Sequence, residues 1–172
     1  MNSPVAYHGR SRRFASHPGI DRLPSSRRAG HKWDFLPFKP FTVPASSCGF
    51  KVRVTVPANK QFVKILKAAD GSVTFLSTGS FKHSYTNLST GKSITETASA
   101  SGRATVHADD SVTVTARGRS PFFLSPADAK RFGLPTVSVL AGRLTFSFGS
   151  DGNLTSVSLH GHVLVNVCTA LS

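Results

Sequence analysis

The chain has 172 residues, a formal net charge of +13 and 39% hydrophobic residues. This length suits one domain of ordinary core size with a tail, and no apolar run is long enough for a membrane-spanning helix. Phe, Val and Thr are prominent, so the composition predicts an all-β protein.

The first 33 residues form a basic segment without sustained periodicity. Residues 1–47 hold eight Lys and Arg against two acidic residues, including the pairs Arg12-Arg13 and Arg27-Arg28. Such a composition predicts a disordered basic tail, with binding to nucleic acid or to an anionic surface as its alternative role. No apolar region follows the basic residues, so no signal peptide is visible. If the domain is exported, we expect a misassigned start or an altered leader.

Residues 34–47 are predicted to be a linker, because their prolines favour extended backbone. Phe35, Phe38 and Phe41 recur at every third residue, which is typical of a polyproline-type segment lying along a domain. From Cys48 onwards the pattern changes to alternation, so we place the folded domain at residues 48–172.

The domain is predicted to contain eight to nine short strands joined by tight turns. Val52 and Val54 share one face of the first strand, which Pro57 should end, and Gly79 should separate two later strands. Asp70-Gly71 is a strong hairpin signal. Turns that recur about every ten residues favour an antiparallel barrel, with a β-sandwich as the alternative.

The segment 120–135 interrupts this rhythm and carries the one helical signal. Ser125 is a candidate N-cap before a proline, and Gly133 should end the helix after one or two turns. The long strand that follows changes its inward set from Val137 and Val139 to later, even-numbered residues. A bulge near Ala141-Gly142 would explain that change of phase.

The two cysteines bracket the predicted β region. Cys48 begins the first strand and Cys168 ends the last, which predicts a disulfide that joins them. A disulfide in turn predicts a secreted protein, since such bonds persist in oxidising compartments. The alternative is two buried thiols in a reducing compartment.

Four stretches of the domain resemble small secreted β-proteins of actinomycetes. They are Cys48-Gly49-Phe50, the turn TNLSTGKS at residues 86–93, Ala141-Gly142-Arg143 and the closing VCTAL at residues 167–171. The resemblance covers about residues 45–172. It implies a secreted, disulfide-linked β-domain whose activity is unknown, and it carries over no catalytic residues.

A barrel of about eight strands can hold a small ligand, so we expect the function to be non-enzymatic binding of a small apolar ligand or a surface partner. His83 and Tyr85 are the polar groups expected to orient such a ligand. The candidate lining residues are Phe62, Phe75, Phe81, His83, Tyr85, Phe146 and Phe148. The alternative is that these aromatic side chains simply fill the core.

Three other kinds of chemistry are not favoured. His160 and His162 share one side of a strand at a spacing suited to zinc, but their alternation with buried valines predicts that both face water. No nucleophile elbow or phosphate-binding loop occurs, so we expect no enzyme activity, no cofactor and no metal. Nucleic-acid binding through the tail and basic strand faces, near Lys82–Tyr85, is the alternative function, although secretion argues against it. We expect a monomer.

Overall fold

The computed structural model describes residues 32–172 and contains eight strands and three short helices in that range. The predicted disordered tail lies almost entirely outside the described residues. The prediction of an all-β, antiparallel fold is confirmed. The elements are β1 (Asp34–Phe35), β2 (Phe41–Val43), α1 (Ala45–Cys48), β3 (Val52–Lys67), β4 (Val73–Asn87), β5 (Ser93–Val106), β6 (Val112–Phe123), α2 (Pro126–Phe132), β7 (Val137–Phe148), β8 (Leu154–Asn166) and α3 (Val167–Leu171). None of these helices is long and apolar enough to cross a membrane.

The six long strands form an antiparallel meander in which each strand pairs with the next along the chain. The two short strands, which lie in the predicted linker, pair with the outer edge of β3. Among the described residues no ladder joins β8 to β3, so hydrogen bonds do not close the sheet into the predicted barrel.

The strands are fewer and longer than the turn signals predict. Pro57 does not end a strand but lies inside β3, where the register with β4 shifts between Thr55 and Ala58. A register shift on a strand next to the sheet edge accommodates a residue that has no N–H to donate. Gly79 likewise lies inside β4, which continues to Asn87.

A row of glycines crosses three neighbouring strands. Gly118 of β6 pairs with Gly142 of β7, which pairs with Gly161 of β8. An added Cβ would lie 2.1 Å from the Ser99 carbonyl oxygen at Gly118, and 2.3 Å from the His160 carbonyl oxygen at Gly142. The φ angles of +113° and +125° at these two glycines are not extended. The strands therefore kink along this row, and the lack of side chains lets their backbones approach closely.

The buried apolar residues form two clusters. The first core joins β2, β3 and β4 to the start of β7 and to α3. It consists of Val43, Val52, Val54, Tyr85, Val137, Val139, Val167 and Leu171. The second core lies against α2, and consists of Phe122, Leu124, Ala129, Leu140, Leu144 and Leu154.

The start of β7 explains the predicted change of phase. All four residues from Val137 to Leu140 are buried, with Val137 and Val139 in the first core and Leu140 in the second. The register of β7 with β6 is unbroken, whereas the register with β8 shifts between Val139 and Leu140. The inward set therefore changes because both faces of this segment are covered, and the irregularity lies just before the predicted Ala141-Gly142.

The predicted disulfide between Cys48 and Cys168 is confirmed. It joins α1 to α3 across a sequence separation of 120 residues, with the Cα atoms 5.1 Å apart. Beside it, the Thr136 hydroxyl donates a hydrogen bond to the Ser47 carbonyl oxygen at 2.6 Å. The Asn87 side-chain amide donates to the Leu171 carbonyl oxygen at 3.1 Å, which holds α3 against β4. This group of contacts links the two ends of the described sheet.

Candidate functional site

Three of the predicted ligand-lining residues lie together on one face of β4. Phe81, His83 and Tyr85 alternate along the strand, and each ring contacts the next. The ring centroids of Phe81 and His83 are 4.0 Å apart, and His83 stacks on Tyr85 at 5.8 Å with an interplanar angle of 13°. Phe38 of the predicted linker adds an edge-on contact to His83 at 6.1 Å. The phenylalanine-containing segment 34–47 therefore does lie along the domain.

The polar atoms of this row are buried without partners. His83 is 1% exposed, and neither of its ring nitrogens has a hydrogen bond to a described residue, although Glu96 lies opposite in the β4–β5 ladder. Burial disfavours the imidazolium and lowers the pKa of His83 to about 4. The Tyr85 hydroxyl is also buried and unpartnered, and burial, with a smaller effect of Glu96, raises the pKa of the phenol. His83 is therefore neutral at pH 7.

A cavity lined by two of the predicted residues adjoins the second core instead. Its volume is about 450 Å³, and Phe146 and Phe148 of the predicted set line it. The centroids of these two rings are 5.7 Å apart, and Phe122 contacts Phe146 at 5.2 Å. We call this space the aromatic cavity. The remaining lining residues are Pro121, Phe123, Leu124, Ser125, Asp128, Gly152, Asn153 and Leu154.

The start of α2 forms the polar wall of the aromatic cavity. Ser125 caps the helix, because its hydroxyl oxygen accepts a hydrogen bond from the Asp128 backbone N–H at 3.1 Å. The same hydroxyl donates to the Asp128 carboxylate at 2.6 Å. Gly133, in the left-handed conformation, ends the helix where the sequence predicts. Arg131 then ties α2 to β8 by donating to the Leu154 carbonyl oxygen at 3.0 Å.

A smaller cavity is lined in part by the same aromatic rings. Its volume is about 200 Å³, and Phe81, Phe122 and Phe146 are among its lining residues. Phe122 and Phe146 therefore line both cavities. Neither His83 nor Tyr85 lines these two cavities, so the polar pair expected to orient a ligand lies apart from them.

Two other predicted lining residues lie elsewhere. Phe62 is 41% exposed on β3, where its ring meets Phe35 edge-on at 6.4 Å. Phe75 is half-buried on β4, paired with Ile65 on one side and Ala104 on the other. The structure therefore does not bring these two residues to the aromatic cavity.

Sequence reasoning missed Phe122–Leu124 as cavity residues, although the sequence contained a signal for them. The apolar run Phe122–Leu124 precedes α2 and breaks the alternation, which marks residues that are buried on both sides. Leu154 opens β8 directly after a hairpin turn, where burial is not expected from its position alone.

His160 and His162 are exposed on β8, as predicted. They pair with Arg143 and Ala141 of β7. Within residues 32–172, no group of three or more His, Cys, Asp or Glu side chains is placed to hold a metal ion.

Three carboxylates are engaged in hairpin turns at one end of the sheet. The backbone N–H of Ser72 donates to Asp70, that of Asn153 donates to Asp151, and Ser111 donates to Asp109 from both its hydroxyl and its N–H. These hydrogen bonds favour the ionised form and lower the pKa of each carboxyl. Asp109 thus stabilises its turn, as the sequence predicts.

Comparisons with protein-family models, with curated proteins and with solved structures found no match to this chain.

Proposed function

We propose that this protein is a non-enzymatic binding domain that takes a small, mainly apolar ligand into the aromatic cavity. The observation that carries the proposal is a cavity of about 450 Å³ lined by Phe122, Phe146, Phe148 and two leucines. Small-molecule sites are usually cavities of about 300–1,000 Å³ with apolar walls and a few polar groups.

The walls also indicate which ligands suit the cavity. The four lining phenylalanines favour a flat or aliphatic body, because aromatic side chains offer large contact areas and ring edges. Asp128 and Asn153 lie at the polar wall and suit a ligand with one hydrogen-bond donor, such as a hydroxyl or amine. A ligand that is charged throughout would have to leave water for apolar walls, which is unfavourable.

The experiment measures binding of a neutral, environment-sensitive fluorescent dye to the full chain. The substitution Phe148→Ala removes a ring from the cavity wall, and we expect the dye affinity to fall about tenfold or more, since burying an aromatic side chain contributes about 1.5–3 kcal/mol. The matched control is Phe75→Ala, which removes another half-buried ring of the same sheet away from the cavity.

Equal losses in the two variants would mean that the dye binds exposed apolar surface in general, and the proposal would be wrong. Absence of dye binding to the unaltered protein would also contradict it. Melting temperatures of both variants show whether they remain folded at the temperature of the titration.

We further propose that the protein is exported, as its resemblance to small secreted β-proteins implies. The support is the Cys48–Cys168 disulfide, because such bonds persist in oxidising compartments. Alkylation of unreduced protein taken directly from its native cells and culture medium tests this. We expect to recover the protein from the medium with both cysteines resistant to alkylation, because they form the disulfide. Intracellular protein with two alkylated cysteines would contradict the proposal.

A further inference from the structure

The solvent-facing side of the second half of the sheet carries an unusual set of cations. Strands β5 to β8 contain four arginines and no lysine, although lysines outnumber arginines in residues 32–172. Three of the four, Arg103, Arg117 and Arg143, come from three neighbouring strands and line one groove of about 330 Å³. Ser101, Gly102 and Thr115 complete the lining. We call this space the arginine groove.

These arginines have no partners in the described part of the chain. None of the three guanidinium groups makes a hydrogen bond or ion pair with another described residue. Arg117 lies directly opposite Arg143 in the β6–β7 ladder. Like charges directly opposite each other destabilise a sheet. Folding stability therefore does not account for this arrangement.

The nearest acidic residue of these strands does not compensate the charge. Glu96 is the only acidic residue in β5 to β8, and it lies opposite His83 on the buried side of β4 and acts electrostatically on Tyr85. The carboxylates of Asp109 and Asp151 are engaged in the hairpin turns. The groove therefore carries an uncompensated positive charge.

The chemistry of the groove points to phosphate groups. A guanidinium forms a planar fork that matches phosphate oxygens with two parallel hydrogen bonds, and the hydroxyl of Ser101 adds a further donor. Neighbouring strands are about 4.8 Å apart, so the arginines of adjacent strands reach anionic groups that follow one another closely. His160 lies opposite Arg143 and continues the row onto β8.

The composition of the groove favours one kind of polyanion. None of its lining residues is aromatic, so it offers no surface on which nucleic-acid bases could stack. The direct opposition of Arg117 and Arg143 suits closely spaced anionic groups, such as the adjacent phosphates of a phosphate polymer. We propose that the arginine groove binds a linear, base-free phosphate polymer, a polyphosphate chain, with Arg103, Arg117 and Arg143 contacting successive phosphates. This site is separate from the aromatic cavity.

The experiment titrates the full chain with a short polyphosphate of defined length at several salt concentrations. The double variant R117Q/R143Q is expected to lose affinity at least about tenfold, because hydrogen bonds to charged groups contribute about 1.5–3 kcal/mol each. The control K60Q/K82Q removes the same charge from exposed residues of β3 and β4, and we expect a loss of about twofold or less, as for general electrostatic attraction. Equal losses would overturn the proposal.

A second variant tests whether the ligand recognises the planar guanidinium group or only its positive charge. R117K/R143K keeps both positive charges, so unchanged affinity would contradict recognition by guanidinium, and weaker binding would support it. Tighter binding of a single-stranded oligonucleotide or a sulfated polysaccharide than of polyphosphate would also overturn the proposal. The melting temperature of R117Q/R143Q is expected to stay the same or rise, because the substitution removes a repulsive pair. The neutral dye reports on the aromatic cavity alone, so the two proposals can fail independently.

Discussion

The two cores of this protein differ in how completely they are closed. Six of the eight residues of the first core, Tyr85 among them, are at 0% exposure, and the core lies beside the disulfide. The second core contains residues at 1–8% exposure and adjoins the aromatic cavity. The chain therefore uses a covalent link where hydrogen bonds leave the described sheet open, whereas the second core borders a cavity.

The comparison also concerns polarity. The first core, although the tighter one, contacts His83 and includes Tyr85, both with unpartnered polar atoms. The second core consists of apolar residues, and the polar side chains beside it line the aromatic cavity, where a ligand or water reaches them. Tight closure of the first core thus leaves polar atoms buried at an electrostatic cost, whereas the polar groups beside the second core stay available for binding.

The largest expected effect comes from opening the first core. Replacing both cysteines, Cys48→Ser with Cys168→Ser, is expected to lower the free energy of unfolding by about 4–5 kcal/mol, because the link restricts a loop of 120 residues in the unfolded chain. Denaturant titration of the variant against the unaltered protein measures this. Below the new melting temperature we expect the neutral dye to bind as before, since the disulfide does not contact the aromatic cavity.

A loss of less than about 1 kcal/mol would mean that the noncovalent contacts of α3 close the first core by themselves. Loss of dye binding in a variant that remains folded would mean that the two cores are not independent.

The next expected effect is a pH dependence of the free energy of unfolding, which arises from the buried His83 beside the first core. The pKa of His83 is lowered to about 4 in the folded protein, against about 6.5 when unfolded. Below pH 6.5 the unfolded chain takes up a proton that the folded chain does not. Stability is therefore full above pH 6.5 and falls by about 3 kcal/mol as the pH drops to 4. Urea titrations across this range measure the slope.

The variant His83→Phe should keep the aromatic stacking and lose this slope. An unchanged slope in the variant would assign the pH dependence to other groups. The turn carboxylates Asp70, Asp109 and Asp151 act at lower pH, since their lowered pKa values make their contribution disappear only as the pH falls below about 4.

Local patterns were sufficient to predict much of this architecture. Alternation in the first strand gave the buried Val52 and Val54, and the hairpin signal at Asp70-Gly71 marks a real turn. The disulfide followed from cysteines at the two ends of the alternating region. These features depend on residues that are close in sequence or that lie at the two ends of the domain. A pattern in a single sequence is therefore enough to predict them.

Other features depend on register, which a single sequence does not display. Gly79 lies inside a strand because its neighbours on β3 continue the ladder past it, so a local breaker was overruled by pairing. The opposition of Arg117 and Arg143, and the row of Gly142 with its partners, exist only once the strands are aligned. Sequence reasoning also grouped Phe75 with Phe146 by residue type, although they lie on different parts of the sheet.

The smallest expected effect tests whether the unpartnered hydroxyls near the first core matter. Ser138→Ala and Tyr85→Phe remove buried hydroxyls that have no hydrogen bond to a described residue. We expect each to change the free energy of unfolding by less than about 1 kcal/mol, or to stabilise the fold slightly, since an unpartnered buried polar group is itself unfavourable.

The matched control is Thr136→Val, which removes a hydroxyl that donates to the Ser47 carbonyl oxygen at 2.6 Å. That variant should lose about 1 kcal/mol, because a half-buried acceptor is left without this donor. If Ser138→Ala costs as much as Thr136→Val, the serine hydroxyl is bonded to ordered water, and the first core is not as dry as its burial indicates.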